Sequence, residues 1–137
     1  MELQIIKTGD GSQTLYVPAM DEQYHSTNGA VTESNYVYIE KGYLFNESKK
    51  PTVFEVGFGT GLNCLLTALL AEKQERCTTY YTIEKYPLDK EIIQQLDYGK
   101  IISAEAQTLF GKIHDCKWNE PVEISKYFTL IKLKSDL

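Results

Sequence analysis

The segment from Thr52 to Ala71 constrains the fold of this chain more than any other part of it. It begins with β-branched and aromatic residues up to Val56, a composition typical of a buried parallel strand. Three glycines spaced two apart follow, namely Gly57, Gly59 and Gly61. Leucines then recur at spacings of three and four, which predicts a helix with one apolar face packed on the sheet. A strand, a glycine-rich turn and a helix N-terminus in this order predict a pocket for a nucleotide-type cofactor.

The spacing of the glycines bears on which cofactor that pocket takes. A dinucleotide fingerprint reads G-x-G-x-x-G, whereas here the third glycine comes one residue early and Glu55 stands two residues before the first. The pattern Glu-x-Gly-x-Gly-x-Gly resembles the first motif of class I S-adenosylmethionine methyltransferases. In those enzymes the loop lies under the amino acid part of a cofactor without phosphate, so a nearby carboxylate is tolerated. A glycine-rich turn without a ligand is the structural alternative.

A second acid follows the next predicted strand. Residues 78–83 are dense in strand-forming side chains and lead into Glu84, which lies 23 residues after Gly61. A carboxylate at about 20 residues, at the tip of the second strand, accepts hydrogen bonds from ribose hydroxyls. The same residue could be an ordinary solvated glutamate. An acid here also suits a nicotinamide cofactor, so an NAD-dependent oxidoreductase stays an alternative that the glycine spacing disfavours.

Composition sets the limits for other functions. The 137 residues are enough for one domain with a core, and the net charge of −5 does not predict a wide basic surface for nucleic acid. The three cysteines are far apart and lack metal-ligand spacing, so we expect reduced thiols and no metal site. No apolar run approaches the ~20 residues of a membrane span, and we expect a soluble, cytoplasmic protein.

The first 50 residues are predicted to form an extension of the cofactor domain. Strand-like runs flank an Asp-Gly step at Asp10, which predicts a β-hairpin, and Pro18 ends its second strand. The polar stretch from 21 to 29 is predicted as a loop. Residues from Ala30 to Lys41 are predicted as a helix with Gly42 as its C-cap, although residues 36–39 have equal strand propensity.

The C-terminal part is predicted to contain two helices and a third strand. One helix begins at Pro87 and stops at Gly99, and the next spans residues 101–110 and ends near Gly111. His114, Asp115 and Cys116 look like a catalytic cluster, but adjacent residues rarely face one another, and the sequence favours a surface loop leading to Trp118 and Pro121. Residues 127–133 are predicted as the third strand, with Asp136 just beyond its tip.

Three segments together resemble a particular family. Tyr-His-Ser-Thr-Asn-Gly-Ala from Tyr24, Glu-Val-Gly-Phe-Gly-Thr-Gly-Leu-Asn from Glu55 and Ile-Glu-Lys-Tyr-Pro-Leu from Ile83 follow the order and spacing of the tRNA 5-(aminomethyl)-2-thiouridine methyltransferases, the methyltransferase part of MnmC-type enzymes. The resemblance implies an α/β, Rossmann-like fold, S-adenosyl-L-methionine as cofactor, and methylation of the amine on a modified wobble uridine of tRNA. The implied cofactor-binding residues are Glu55, Gly57, Phe58, Gly59, Gly61, Asn63, Glu84, Lys85 and Asp136. Candidates on the substrate side are Tyr24, His25 and Ser26.

By the same resemblance the sequence covers the N-terminal half of such a domain. We expect residues 1–50 to form the hairpin and helix extension and residues 51–137 to form a partial parallel sheet of three strands with its helices. The acceptor-side motif and the catalytic carboxylate would lie past Leu137, so the chain is expected to be inactive alone. The outer edge of the strand at Val53–Val56 would be unpaired and apolar, which predicts a dimer or a swapped assembly, and a non-catalytic, self-associating fragment is a further alternative.

Overall fold

The computed structural model describes residues 2–25 and 29–136 and has an α/β architecture with two separate sheets. The first sheet is antiparallel and contains three strands in the order β1 (Gln4–Lys7), β2 (Gln13–Val17) and β3 (Glu22–Gln23). Gln4 pairs with Tyr16 and Lys7 with Gln13, so the predicted hairpin is confirmed. The loop prediction for residues 21–29 is wrong at β3, because Glu22 and Gln23 pair with the end of β2.

The hairpin turn caps the first helix. Helix α1 (Ala30–Ser34) has Gly29 at its N-cap position, which provides no side-chain cap of its own. Three successive backbone N–H groups at its start donate instead to side chains of the turn: Ala30 to Thr8 Oγ1 at 3.0 Å, Val31 to Ser12 Oγ at 3.1 Å and Thr32 to Asp10 Oδ2 at 2.9 Å. The turn thereby satisfies donors that a helix leaves unpaired at its N-terminus.

A π-helix (Asn35–Tyr43) continues α1 without a break. The predicted helix from Ala30 to Lys41 is present, but most of it has π rather than α geometry, and Gly42 lies inside it rather than at its C-cap. The segment is held at its end by Arg76, whose guanidinium donates to the carbonyls of Tyr43 at 2.8 Å, Ser48 at 2.7 Å and Asn46. The wide turn leaves Tyr36, Val37 and Tyr38 exposed.

The second sheet carries the candidate site. Its order is β4 (Thr52–Val56), β5 (Thr78–Glu84), β7 (Phe128–Lys134) and β6 (Pro121–Ser125). The first three strands are parallel, as predicted, and β4 lies at the edge of the sheet. Strand β6 pairs antiparallel with β7 and was not predicted, because Pro121 suggested a loop. Proline is acceptable at the first residue of an edge strand, which is where Pro121 lies.

The helices after β5 do not end at Gly99 and Gly111, as the sequence predicts, because both glycines lie inside helices. The first run breaks into α3 (Lys90–Gln95) and α4 (Tyr98–Ile102), and Gly99 lies inside α4 instead of ending a helix. A Cβ on Gly99 would lie 2.3 Å from the Cα of Gln107, so this glycine allows close contact between α4 and α5 (Ala104–Asp115). Helix α5 also continues past Gly111 to Asp115.

The main core lies between the second sheet and the helices α2 (Leu62–Gln74) and α5. It contains the fully buried side chains of Leu65 and Ile113 from the helices and Tyr80, Phe128 and Leu130 from the strands. On β4, Phe54 is 55% exposed and Val56 is 63% exposed. The edge strand therefore presents apolar surface to solvent, as the sequence predicts.

Candidate functional site

The candidate site lies where the C-terminal ends of β4 and β5 meet the N-terminus of α2. The turn between β4 and α2 has three glycines with positive φ, at 88° for Gly57, 55° for Gly59 and 80° for Gly61. Such angles are costly for any other residue, which explains the glycine spacing. The turn is fixed by hydrogen bonds from Gly57 N to Ile83 O at 2.9 Å and from Gly61 N to Phe58 O at 3.0 Å. A Cβ on Gly57 would meet nothing within 4 Å.

Glu84 faces this turn from the end of the neighbouring strand. Its Oε1 accepts a hydrogen bond from the backbone N–H of Gly59 at 2.9 Å, and its Oε2 accepts one from Tyr86 N at 3.3 Å. The glycine turn and the acid at the end of β5, which lie more than twenty residues apart in the sequence, are therefore in direct contact. The carboxylate keeps further lone pairs that can accept hydrogen bonds from a ligand.

Glu55 lies near the end of β4, in register with Thr82 of β5. Its carboxylate accepts hydrogen bonds from Thr82 Oγ1 at 2.8 Å and Asn63 Nδ2 at 3.2 Å. Burial raises the pKa of Glu55 to about 7, and the charge of Glu84 adds to the increase, while the hydrogen bonds from Thr82 and Asn63 oppose it. The other polar atom of Asn63, Oδ1, is buried and has no hydrogen-bond partner among the described residues.

Two cavities adjoin these groups. One has a volume of about 410 Å³ and is lined by Glu55, Gly57 and Asn63 together with side chains of the π-helix and β4. The other, of about 430 Å³, is lined by Tyr24 and by Tyr86, Pro87 and Leu88 after β5. Both volumes are within the range of small-molecule sites, roughly 300–1,000 Å³.

Tyr24 and His25, the described members of the substrate-side candidates, lie on the outer side of the turn. The ring of Tyr24 lies over Gly59, where a Cβ would be 3.2 Å from its Cδ2. Burial raises the pKa of Tyr24, and the nearby charge of Glu84 adds to this. His25 has its Nε2 3.4 Å from Thr60 Oγ1 and its Nδ1 3.9 Å from Glu33. Burial lowers the pKa of His25, which Glu33 opposes. Ser26 lies outside the described residues.

His114 contacts the turn from the inner side, and its prediction as part of a surface loop is wrong. It lies on α5, and its Nε2 is 2.8 Å from the carbonyl oxygen of Thr60. Burial lowers the pKa of His114 to about 4, although the Thr60 hydrogen bond opposes this. The helix periodicity carries the missed signal, since His114 stands four residues after Phe110 and shares its helix face.

Of the remaining cofactor-binding candidates, Lys85 and Asp136 are exposed, whereas Phe58 is buried. Lys85 and Asp136 form an exposed ion pair of 3.2 Å beyond the ends of β5 and β7, so the structure brings these two predicted residues together. Phe58, in contrast, has a buried side chain that packs against the rings of His114 and Trp118. Only 5% of the surface of Phe58 is exposed, so this residue is part of the core beneath the turn.

No helix in the described ranges has the length and apolarity needed to cross a bilayer. Residues 2–25 and 29–136 also contain no group of three or more His, Cys, Asp or Glu side chains arranged to hold a metal ion.

Comparison with known proteins gives several relatives with one shared name. The chain is 36% identical over 108 residues to the tRNA 5-methylaminomethyl-2-thiouridine biosynthesis bifunctional protein MnmC of Legionella pneumophila strain Philadelphia 1, a match that covers 70% of this chain and 16% of the relative. It is 33% identical over 88 residues to the protein of that name from Burkholderia multivorans, covering 60% of this chain and 13% of the relative. The chain thus spans a small part of the relatives that it matches. No protein-family model matches it.

A solved structure shares the fold. The crystal structure of MnmC2 from Aquifex aeolicus superimposes with a TM-score of 0.76 at 24% sequence identity. The superposition covers 98% of this chain and 43% of that one. Nearly all of the described architecture, including the hairpin sheet, is therefore shared with a known protein, and the sheet with parallel strands has a Rossmann-like fold.

Proposed function

Because this chain is a homologue of the MnmC-type proteins, we propose that it binds S-adenosyl-L-methionine and forms part of an enzyme that methylates the aminomethyl group of a modified wobble uridine in tRNA. The observation that carries the proposal is the contact of Glu84 with the N–H of Gly59. It brings a carboxylate suited to ribose hydroxyls to the open face of a turn that has no side chain of its own at Gly57. A tRNA substrate agrees with the cytoplasmic location that we expect.

The residues of the site fit the parts of this cofactor. Gly61 at the N-cap of α2 provides no side-chain cap, so the first N–H groups of the helix suit the cofactor's carboxylate. The Oδ1 of Asn63, which has no hydrogen-bond partner within residues 2–25 and 29–136, and the carboxylate of Glu55 suit its ammonium group. Glu84 would hold the ribose, and we propose that Lys85 and Asp136 adjoin the adenine. The bound cofactor would supply an electrophilic methyl group on a sulfonium.

For the transfer itself, this chain contributes positioning. The acceptor amine must be neutral and aligned with the methyl group and the sulfur, so orientation carries much of the rate. Tyr24 and His25 lie next to Gly59 and Thr60, and we propose that they face the acceptor nucleoside. Incubating the chain with labelled cofactor and undermodified tRNA tests the reaction, since label on the aminomethyl group is the expected product and label elsewhere in the tRNA would contradict it.

Equilibrium binding separates the proposed cofactor from the nicotinamide alternative. Labelled S-adenosyl-L-methionine should bind to the purified chain and be displaced by S-adenosylhomocysteine but not by NAD. Binding of NAD in preference would establish the oxidoreductase reading instead. For the domain division, we propose that residues 1–50 and 51–137 act as one unit, because the hydroxyl of Tyr98 donates to the carbonyl of Gln13 at 2.7 Å and Tyr24 covers Gly59.

A second candidate function is self-association through the edge of β4. This strand ends the sheet, and Phe54 and Val56 are both more than half exposed beside a groove of about 410 Å³. An unpaired, apolar strand edge is a template for another chain. Light scattering during size-exclusion chromatography should then give a dimer that Phe54→Lys disrupts. A monomer at all concentrations would rule this function out.

A further inference from the structure

Lys132 is a buried lysine beneath the candidate site. It lies in the middle of β7 with 1% of its surface exposed. Its ammonium group donates hydrogen bonds to the carbonyl of Ile113 at 2.7 Å and to that of His114 at 3.2 Å, near the C-terminus of α5. Within the described residues it forms no ion pair with a carboxylate. Burial lowers the pKa of Lys132, an effect that Cys116 opposes.

Two aromatic rings connect this ammonium group to the glycine turn. The Nζ of Lys132 lies 4.8 Å from the centre of the Trp118 ring and 5.7 Å from that of Phe58. Phe58 stands edge-on to Trp118 at 5.9 Å and tilted against His114 at 5.3 Å. Since Phe58 stands between Gly57 and Gly59, its buried side chain joins the turn to this aromatic cluster, while Gly57 stays exposed.

Burying a charged lysine in a core costs desolvation free energy. An apolar side chain of similar volume at such a position often leaves stability unchanged or increases it, because the desolvation of the charge is avoided. The ammonium group does bring two interactions that methionine could not, namely attraction to helix C-terminal carbonyls and to ring faces. Both interactions converge on groups that contact the turn: the His114 ring, which lies under Thr60, and the Phe58 ring.

We propose that Lys132 is a positioning residue for the cofactor turn: through Trp118, Phe58 and the end of α5, it holds the backbone from Gly57 to Gly61 in the conformation that leaves room for the cofactor. This inference rests on the proposed function for what the turn binds, but the restraint on the turn is a property of the chain without ligand. It can therefore be measured separately.

The first measurement compares amide hydrogen exchange at residues 57–61 in two lysine variants. Lys132→Met removes the ammonium group and keeps the length of the side chain. The matched control is Lys126→Met, because Lys126 also lies over an aromatic ring, that of Tyr127 at 5.3 Å, but is exposed in the hairpin turn between β6 and β7. We expect exchange at the turn to accelerate about tenfold in Lys132→Met and to stay unchanged in the control.

The second measurement is binding of S-adenosyl-L-methionine, followed by the fluorescence of Trp118, the one tryptophan in the sequence. We expect about tenfold weaker binding by Lys132→Met, with a free energy of unfolding close to that of the unmodified chain. Unchanged exchange at the turn, or equal acceleration throughout the chain, would overturn the positioning role. Failure of the unmodified chain to bind the cofactor would overturn the proposed function, while the exchange result would still decide the role of Lys132.

If Lys132→Met does not fold, Phe58→Leu tests the positioning role instead, because it changes the ring that lies between Lys132 and the turn. It keeps the ammonium group and an apolar side chain but removes the ring that transmits the restraint. Faster exchange at residues 57–61 with the rest of the sheet still protected would support the proposal. Unchanged exchange at the turn in a folded Phe58→Leu chain would refute it.

Discussion

Glu84 accepts a hydrogen bond from the backbone N–H of Gly59 at 2.9 Å, which joins the ends of two neighbouring parallel strands. The contact orients the carboxylate before any ligand arrives, so a ribose would meet an acceptor that is already in place. Preorganisation of this kind reduces the entropic cost of binding.

The first prediction concerns the charge of Glu84. Glu84→Gln keeps the shape of the side chain and an oxygen that can accept from Gly59, but loses the negative charge and one acceptor for ribose hydroxyls. We expect binding of S-adenosyl-L-methionine to weaken roughly tenfold or more, since hydrogen bonds to charged groups are the stronger ones. Isothermal titration calorimetry measures the effect. Glu123→Gln, at an exposed position of β6, serves as the control and should bind normally.

The second prediction uses the pKa of Glu55, which burial raises to about 7. If ionised Glu55 faces the cofactor's ammonium group, affinity should increase about tenfold from pH 6 to pH 8 as the carboxylate loses its proton. Glu55→Gln should bind weakly and without this pH dependence. A pH-independent affinity in the unmodified chain would show that Glu55 does not face the ligand's charge.

The same group affects stability with the opposite sign. Because the folded chain holds the Glu55 proton more tightly than the unfolded chain, whose value is near 4.5, the free energy of unfolding should fall as pH rises from 4.5 towards 7. Urea denaturation of Glu55→Gln at several pH values should lack this component. Retention of the full slope in the variant would assign it to another group.

The third prediction concerns His114, whose pKa burial lowers to about 4 from 6.5. Below pH 6.5 the His114 ring is protonated in the unfolded chain, whereas in the folded chain it stays neutral until about pH 4. His114 should therefore reduce the free energy of unfolding by roughly 3 kcal/mol as pH falls through this window. His114→Gln should remove the dependence, measured by urea denaturation. Since Glu55 acts in the other direction between pH 4.5 and 6.5, the two slopes partly cancel in the unmodified chain.

The fourth prediction compares one substitution at two helical glycines. Gly99→Ala should lower the free energy of unfolding by more than about 3 kcal/mol, because its Cβ would lie 2.3 Å from the backbone of Gln107. Gly111→Ala should raise it by about 1 kcal/mol, because nothing lies within 4 Å and alanine favours helix. Chemical denaturation measures both values. Similar effects at the two positions would contradict the close packing of α4 on α5.

The parts of the site that the sequence predicted are those governed by chain geometry near the turn. Parallel strands end at one edge of the sheet, so the spacing from Gly61 to Glu84 was enough to predict that the acid lies near the glycines. The position of His114 could not be predicted from its neighbours in the chain. Its hydrogen-bond partner, Thr60, lies far away in the sequence, and only the folded structure brings the two residues together. Gly99 was misread for a similar reason, since a glycine that ends a helix and one that admits another helix look alike in a sequence.

The capping of α1 by the hairpin turn makes the start of that helix a non-local structure. Thr8, Asp10 and Ser12 must fold back over some twenty residues before Ala30, Val31 and Thr32 find acceptors for their N–H groups. Deleting the first dozen residues would therefore remove the hydrogen-bond acceptors of a helix that begins at Ala30. It would unravel the beginning of α1 and release the segment that carries Tyr24 across the glycine turn, so proteolysis near the N-terminus should abolish ligand binding while the parallel sheet remains folded.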